Sequence, residues 1–333
     1  MKHNSKIIGV MRLACWLLLL VPSSLSAQTV GADDVIRIDT NLLPFEVSVT
    51  DAGGRTVKGL SAADFRILED AVERPVAFFN VEQKGGALRP IAVVFVLDVS
   101  GSMSGDELKR LGVAVRLFVE KLSDRRSVFA IMTFGTKVRT RQSFTNERKK
   151  LDAAIDKLFE DHDEGRTSHA YDAADDAIRM LVKKAPRTRD QQLLKRAIVL
   201  VTDGYPVGDT VKPATVIERA NAADVSIYSV QLPSYPTIRT SVEPTPLPTL
   251  LDVSGVVEKT GGKNVYATDQ DFSPLFKALA EEVTSNYVLA FYPAEDKRQD
   301  GKFHNVRILG PSGLVLRQSR PGYTADPPRS NKK

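Results

Sequence analysis

IAVVFVLDVSGSMSG, residues 91–105, decides how the chain reads. Its first seven residues are apolar without alternation, as a strand buried on both faces of a parallel sheet requires, and a small polar loop follows at once. AIVLVTDG, residues 197–204, repeats the form. Between and beyond these runs the chain alternates strands with amphipathic helices. Ser104 and Glu107 stand at capping-box spacing, and Leu111, Val115, Phe118 and Leu122 then recur at helical intervals. SVFAIMTF and VRTRQSF predict two strands, and Leu151, Ile155 and Leu158 a helix. A stripe of Ala170, Ala173, Ala174, Ala177, Ile178 and Leu181 predicts a helix that sits close to its sheet. VSIYSVQL is a further strand; a Pro-rich loop from Pro233 to Pro248, a helix over 249–259, a short strand over 264–267 and a helix over 273–284 complete the unit. The order β-α-β-β-α-α-β-α-β-α-β-α predicts an α/β fold with a doubly wound, mostly parallel sheet.

The flanks have a different grammar. FEVSVTD alternates Phe45, Val47 and Val49 on one face, an Ala-Gly-Gly turn follows, and FRILED and VAFFNV are further strands around one helical turn at LSAADF. NYVLAFYP, FHNVRIL and GLVLRQS return to β after the last helix. Three strands make a poor domain, so they are expected to join the N-terminal strands in a small β-sandwich. The expected organisation is an N-terminal β module over 35–86, the α/β unit over 90–285, and a C-terminal β segment over 286–325 packing with the N-terminal module.

Residues 1–27 carry Lys2, Lys6 and Arg12, then an apolar run from Leu13 to Val21, then small residues ending at Ala27. That pattern is a signal peptide, with a run well short of the ~20 residues a spanning helix needs. Export to the periplasm, the extracellular space or the cell envelope is expected, with no membrane span after cleavage. Loss of those three cations lowers the net charge from +5 to +2. Such an excess, without a basic stripe, predicts no nucleic-acid partner. Cys15 is the one cysteine, so the mature chain has no disulfide and depends on its core.

Ligands of open α/β sheets bind beyond the carboxyl ends of the strands. Asp98, Ser100 and Ser102 follow the first buried strand, Asp203 ends the second, and Thr167 precedes the alanine-rich helix. Two carboxylates and three hydroxyls form an all-oxygen set, suited to a hard divalent cation, Mg2+ first. The acidic run Glu160-Asp161-His162-Asp163-Glu164 reads as a solvated loop, and His162, His169 and His304 lack zinc-ligand spacing. SGSMSG has no P-loop lysine. His169 lies close enough in sequence to Thr167 to keep a serine hydrolase in the same pocket as an alternative.

The DxSxS motif with its later Thr and Asp resembles the metal-ion-dependent adhesion site of von Willebrand factor A domains, a Rossmann-like fold. The resemblance implies that Ser100 and Ser102 bind metal directly, Thr167 directly or through water, and Asp98 and Asp203 largely through bridging waters. The segments GLSAADFRILED, TGGKNVY, NYVLAFYP and RPGY extend it to the exported von Willebrand factor A-related proteins of acidobacteria. Two positions depart: Arg166 stands where a second Gly usually precedes the Thr, and Ala71 stands where Gly is expected after Glu69-Asp70. The expected function is a non-enzymatic, metal-dependent adhesion module whose Mg2+, or Ca2+ or Mn2+, coordinates an Asp or Glu of a protein partner. A hydrolase and a structural envelope scaffold with an empty metal site are the alternatives; partner identity and oligomeric state are open.

Overall fold

The computed structural model describes residues 42–81, 89–123, 126–158, 165, 167–186, 188–189, 192–232, 247–267, 272–284 and 287–327. The leader, the acidic run and Arg166 lie outside the described residues. Among the described residues no helix is long and apolar enough to cross a membrane.

Ile91–Asp98 forms strand β5, buried at every position. It pairs in parallel with β10 (Lys195–Thr202) on one side and β6 (Val128–Phe134) on the other. β11 (Val225–Gln231) and β12 (Asn264–Tyr266) extend the sheet beyond β10, and antiparallel β7 (Arg139–Thr145) closes the other edge beyond β6. Burial on both faces explains the missing alternation. Ile91, Val93, Phe95 and Leu97 face α1 (Gly105–Lys121), α2 (Arg148–Asp156) and α6 (Ser273–Thr284). Ala92, Val94 and Val96 face α3 (Ala170–Lys184) and α4 (Pro213–Ala223). Burying one such side chain contributes roughly 1.5–3 kcal/mol, so this strand alone anchors both layers. The Ser104–Glu107 capping box starts α1 as expected. The helix expected over 249–259 is broken: α5 covers only Leu250–Ser254, Gly255 takes the left-handed region at φ 69°, and a short 3-10 turn, Glu258–Thr260, follows. A two-residue hairpin, β8 (Thr188–Arg189) with β9 (Gln192–Leu193), is too short to show in the sequence pattern.

The flanking strands interleave. One sheet has the order β15-β1-β13-β4 and the other β16-β14-β2-β3. Here β1 is Leu43–Thr50, β2 Arg66–Glu69, β3 Val72–Arg74, β4 Phe78–Val81, β13 Tyr287–Phe291, β14 Phe303–Leu309, β15 Val315–Gln318 and β16 Gly322–Thr324. N- and C-terminal strands thus share one apolar core, with Phe45, Val47, Val49, Ile67, Leu289 and Phe291 at its centre. The second face of β1 is buried too, although it carries polar residues. Glu46 there is paired with Lys195 of β10 at 2.8 Å and with Arg89 at 2.6 Å. Lys195 begins its strand, so this buried ion cluster lies at the amino end of the parallel sheet. Arg317 of β15 also bonds Glu282 near the end of α6. The sandwich therefore occupies one end of the sheet and leaves the carboxyl end open.

Asp70 and Ala71 form a two-residue hairpin loop between β2 and β3, with φ of 47° and 67°. Both values lie in the left-handed region, where a type I′ turn needs them and where Gly is favoured at the second position. Asp70 is compensated by accepting the Asn305 amide and pairing with Lys297 and His304; Ala71 has only its Cβ in the way. Ala71→Gly is expected to stabilise the fold by about 0.5–1 kcal/mol, the relief of left-handed strain less the added chain entropy. Urea unfolding at equilibrium checks it.

Candidate functional site

The register of β5 and β10 sets Leu97 beside Val201, which brings Asp98 level with Thr202 and puts Asp203 one residue beyond. The chain leaves β5 for β6 on one side and returns to β10 on the other, so this is the point where the direction of winding reverses.

Asp98 has no exposed surface, Ser100 is 4% exposed and Asp203 9% exposed, while Ser102 reaches solvent. The polar groups thus descend from the surface into the sheet. Asp98 Oδ1 accepts from the Ser100 amide at 2.9 Å and from its hydroxyl at 2.6 Å. Ser100 and Ser102 hydroxyls lie 3.1 Å apart. Asp98 Oδ2 accepts from Ser168 Oγ at 2.9 Å and Thr202 Oγ1 at 3.0 Å. One carboxylate therefore holds its own loop, the loop before α3 and the end of β10. Buried Val99 and Met103 pin the first loop on either side of Ser100. The second and third loops are tied by reciprocal backbone bonds between Ser168 and Val207, 3.0 and 2.9 Å. Asp203 Oδ1 accepts from the Tyr205 amide at 3.0 Å. Gly204 has φ of 88°, and a Cβ there would lie 2.6 Å from Gln231 Oε1, so only glycine lets the chain turn away after Asp203.

Burial pushes the Asp98 carboxyl above its ordinary range; hydrogen bonds from Ser100 oppose this, and the charge on Asp203 adds to it. Two carboxylates near one another in a buried place favour a cation between them. Thr167 Oγ1 gives a second sign: it is buried and meets no hydrogen-bond partner among the described residues. Such a group costs free energy unless something accepts or coordinates it. Asp98, Ser100, Ser102, Thr167 and Asp203 are thus brought to one end of the sheet, with oxygen donors that fit a hard divalent cation. Among the described residues Ser100 Oγ donates to Asp98 and meets Ser102, and no histidine is bonded to it.

The spacing of the histidines shows no ligand set, yet His169 lies beside Asp172 and Asp209. His169 and Asp172 stand three apart at the start of α3, and that interval was the visible signal. Asp209 arrives from the loop after β10, which no local pattern announces.

A family model described as the von Willebrand factor type A domain matches residues 92–279. Among solved structures, the chain is similar to the conserved hypothetical protein BatB from Bacteroides thetaiotaomicron, at 17% identity over 58% of this chain and 97% of that one, TM-score 0.43. It is also similar to an aerotolerance-related membrane protein from Bacteroides fragilis, at 16% identity over 58% of this chain and 98% of that one, TM-score 0.41. Proximal thread matrix protein 1 of the mussel byssus, with a zinc-occupied MIDAS motif, is 13% identical over 64% of this chain and 48% of its own, TM-score 0.46. These are likenesses of fold alone. No curated protein matches the chain.

Asp98→Asn keeps the shape of the site and removes a buried charge, and the Ser168 and Thr202 hydroxyls can turn to accept from the new amide. In EDTA at neutral pH this variant is expected to unfold at a higher temperature than the wild type. Because the folded Asp98 pKa is raised, protonation favours the folded wild type as pH falls, so the difference shrinks on acidification. Calorimetric scans of both proteins at several pH values test the sign.

Proposed function

The chain belongs to the von Willebrand factor type A family, and we propose that it is an exported protein-binding module whose Mg2+ site grips an acidic side chain of a protein partner. Domains of this family are generally interaction modules rather than enzymes. The observation that carries the reading is the Thr167 hydroxyl, buried and without a hydrogen-bond partner among the described residues, one residue before the Ser168 whose hydroxyl holds Asp98. Ser100, Ser102 and Thr167 would hold the ion, with Asp98 and Asp203 behind them. When bound, the ion supplies an electrophilic position that an Asp or Glu carboxylate can fill, with Ca2+ or Mn2+ as substitutes for Mg2+.

The chain's own residues prepare that position. Neutral hydroxyls in contact with the ion quench little of its charge. Asp98 orients Ser100 through its hydroxyl and amide and is itself held by Ser168 and Thr202, so one carboxylate ties the three loops together. Ser102 at the surface gives a partner access. The basic-then-apolar leader over 1–27 supports export to the periplasm, cell envelope or outside. The partner's acidic character follows from the chemistry of the ion, and adhesion is the role such a grip would serve.

Retention of envelope proteins on the immobilised chain is expected in Mg2+ and is expected to be lost in EDTA. Ser100→Ala and Thr167→Ala, each of which removes one oxygen donor, should each weaken Mg2+ binding by roughly tenfold or more and reduce retention in step. Retention unchanged by EDTA and by both variants would contradict the proposal. Turnover of ester or phosphate probes would favour the hydrolase instead.

A further inference from the structure

His169, Asp172 and Asp209 meet next to Ser168, whose hydroxyl bonds Asp98. Asp209 Oδ1 accepts from the backbone amide of Asp172 at 2.8 Å, at the start of α3. Its other oxygen, Oδ2, is buried and meets no hydrogen-bond partner among the described residues. Asp172 Oδ1 accepts from the Thr210 amide and hydroxyl, both at 3.0 Å, and from the Val211 amide at 2.8 Å. Asp172 Oδ2 lies 3.2 Å from the Thr210 amide and 3.1 Å from His169 Nδ1. Each carboxylate is thus fixed mainly through its Oδ1. One ligand atom from each of the three residues lies within 4.8 Å of the other two.

We propose that His169, Asp172 and Asp209 form a second metal site, which takes a transition-metal ion of the zinc class. An imidazole with two carboxylates suits such an ion better than it suits Mg2+, whose preference is for oxygen alone. Metal–ligand bonds of about 2.0–2.2 Å set the donors of a tetrahedron roughly 3.4 Å apart, so small side-chain rotations close the site. Outer hydrogen bonds that hold each carboxylate are the support such ligands need. The His169 and Asp172 side chains are 21% and 18% exposed, which gives an ion an entry path. Gly208 has φ of 91°, and a Cβ there would lie 3.2 Å from His169 Nε2, so glycine keeps the edge of the ring clear. Burial raises the Asp209 carboxyl and the charge on Asp172 adds to this, against hydrogen bonds from the Asp172 and Tyr171 amides and the charge on His169; a bound dication offsets the rise.

Zinc is the probe, titrated into the purified protein under excess Mg2+. One Zn2+ per chain is expected to bind, to weaken about tenfold or more in Asp209→Asn and His169→Gln, and to persist in Ser100→Ala. X-ray absorption of the zinc-loaded wild type needs no variant and should show an imidazole nitrogen. Zinc that Mg2+ displaces and Ser100→Ala abolishes, or an all-oxygen zinc shell, or binding untouched by Asp209→Asn, would overturn the proposal. The hydroxyl-rich site is read separately in the same series, since its failure appears as Mg2+ affinity unchanged by Ser100→Ala.

Discussion

The Asp98 carboxylate has no exposed surface and is satisfied by hydroxyls on three different segments. That constraint organises the open end of the molecule. A charge placed there costs free energy that only good hydrogen bonding or a nearby cation can offset. The bonds to Ser100, Ser168 and Thr202 supply the first, and they draw the loop after β5, the loop before α3 and the end of β10 onto one point. Ser102, Thr167 and Asp203 take their places because the segments that carry them are tied in this way. The site is an outcome of strand register and one buried acid rather than of a long binding motif.

The opposite end of the sheet is closed by a different electrostatic device. Glu46 of β1 meets Lys195 and Arg89 in a buried cluster, and Arg317 reaches the end of α6. Removing one partner from such a buried cluster would leave an uncompensated charge, which is strongly destabilising. The cluster's position has a structural consequence: the sandwich is held where the parallel strands begin, at the end opposite Asp98 and Asp203.

The central strands, the capping box and the placement of Asp98, Ser100, Ser102 and Asp203 at one sheet end were legible because each depends on local order: an unbroken apolar run, an N-cap with Glu three residues on, polar residues just past a strand end. The sharing of one core by N- and C-terminal strands was legible from need, since neither set has enough strands alone. What escaped depended on through-space partners or on very short elements. Glu46, Ser48 and Thr50 look like a solvent face and are buried, because the partners of Glu46 come from outside the sandwich strands. Gly255 stops α5 by a left-handed turn inside a stretch whose apolar residues continue at helical spacing. Strands β3, β9 and β16 are too short to show a period. His169, Asp172 and Asp209 come together only when the loop after β10 folds back to the start of α3.

Anomalous diffraction from crystals grown with Mn2+ tests the cation site most directly. A single strong peak in bonding contact with the Ser100, Ser102 and Thr167 hydroxyls, with Asp98 behind them, is the result expected. A map with no peak at that end of the sheet, and with Thr167 Oγ1 bonded to protein or water instead, would contradict it.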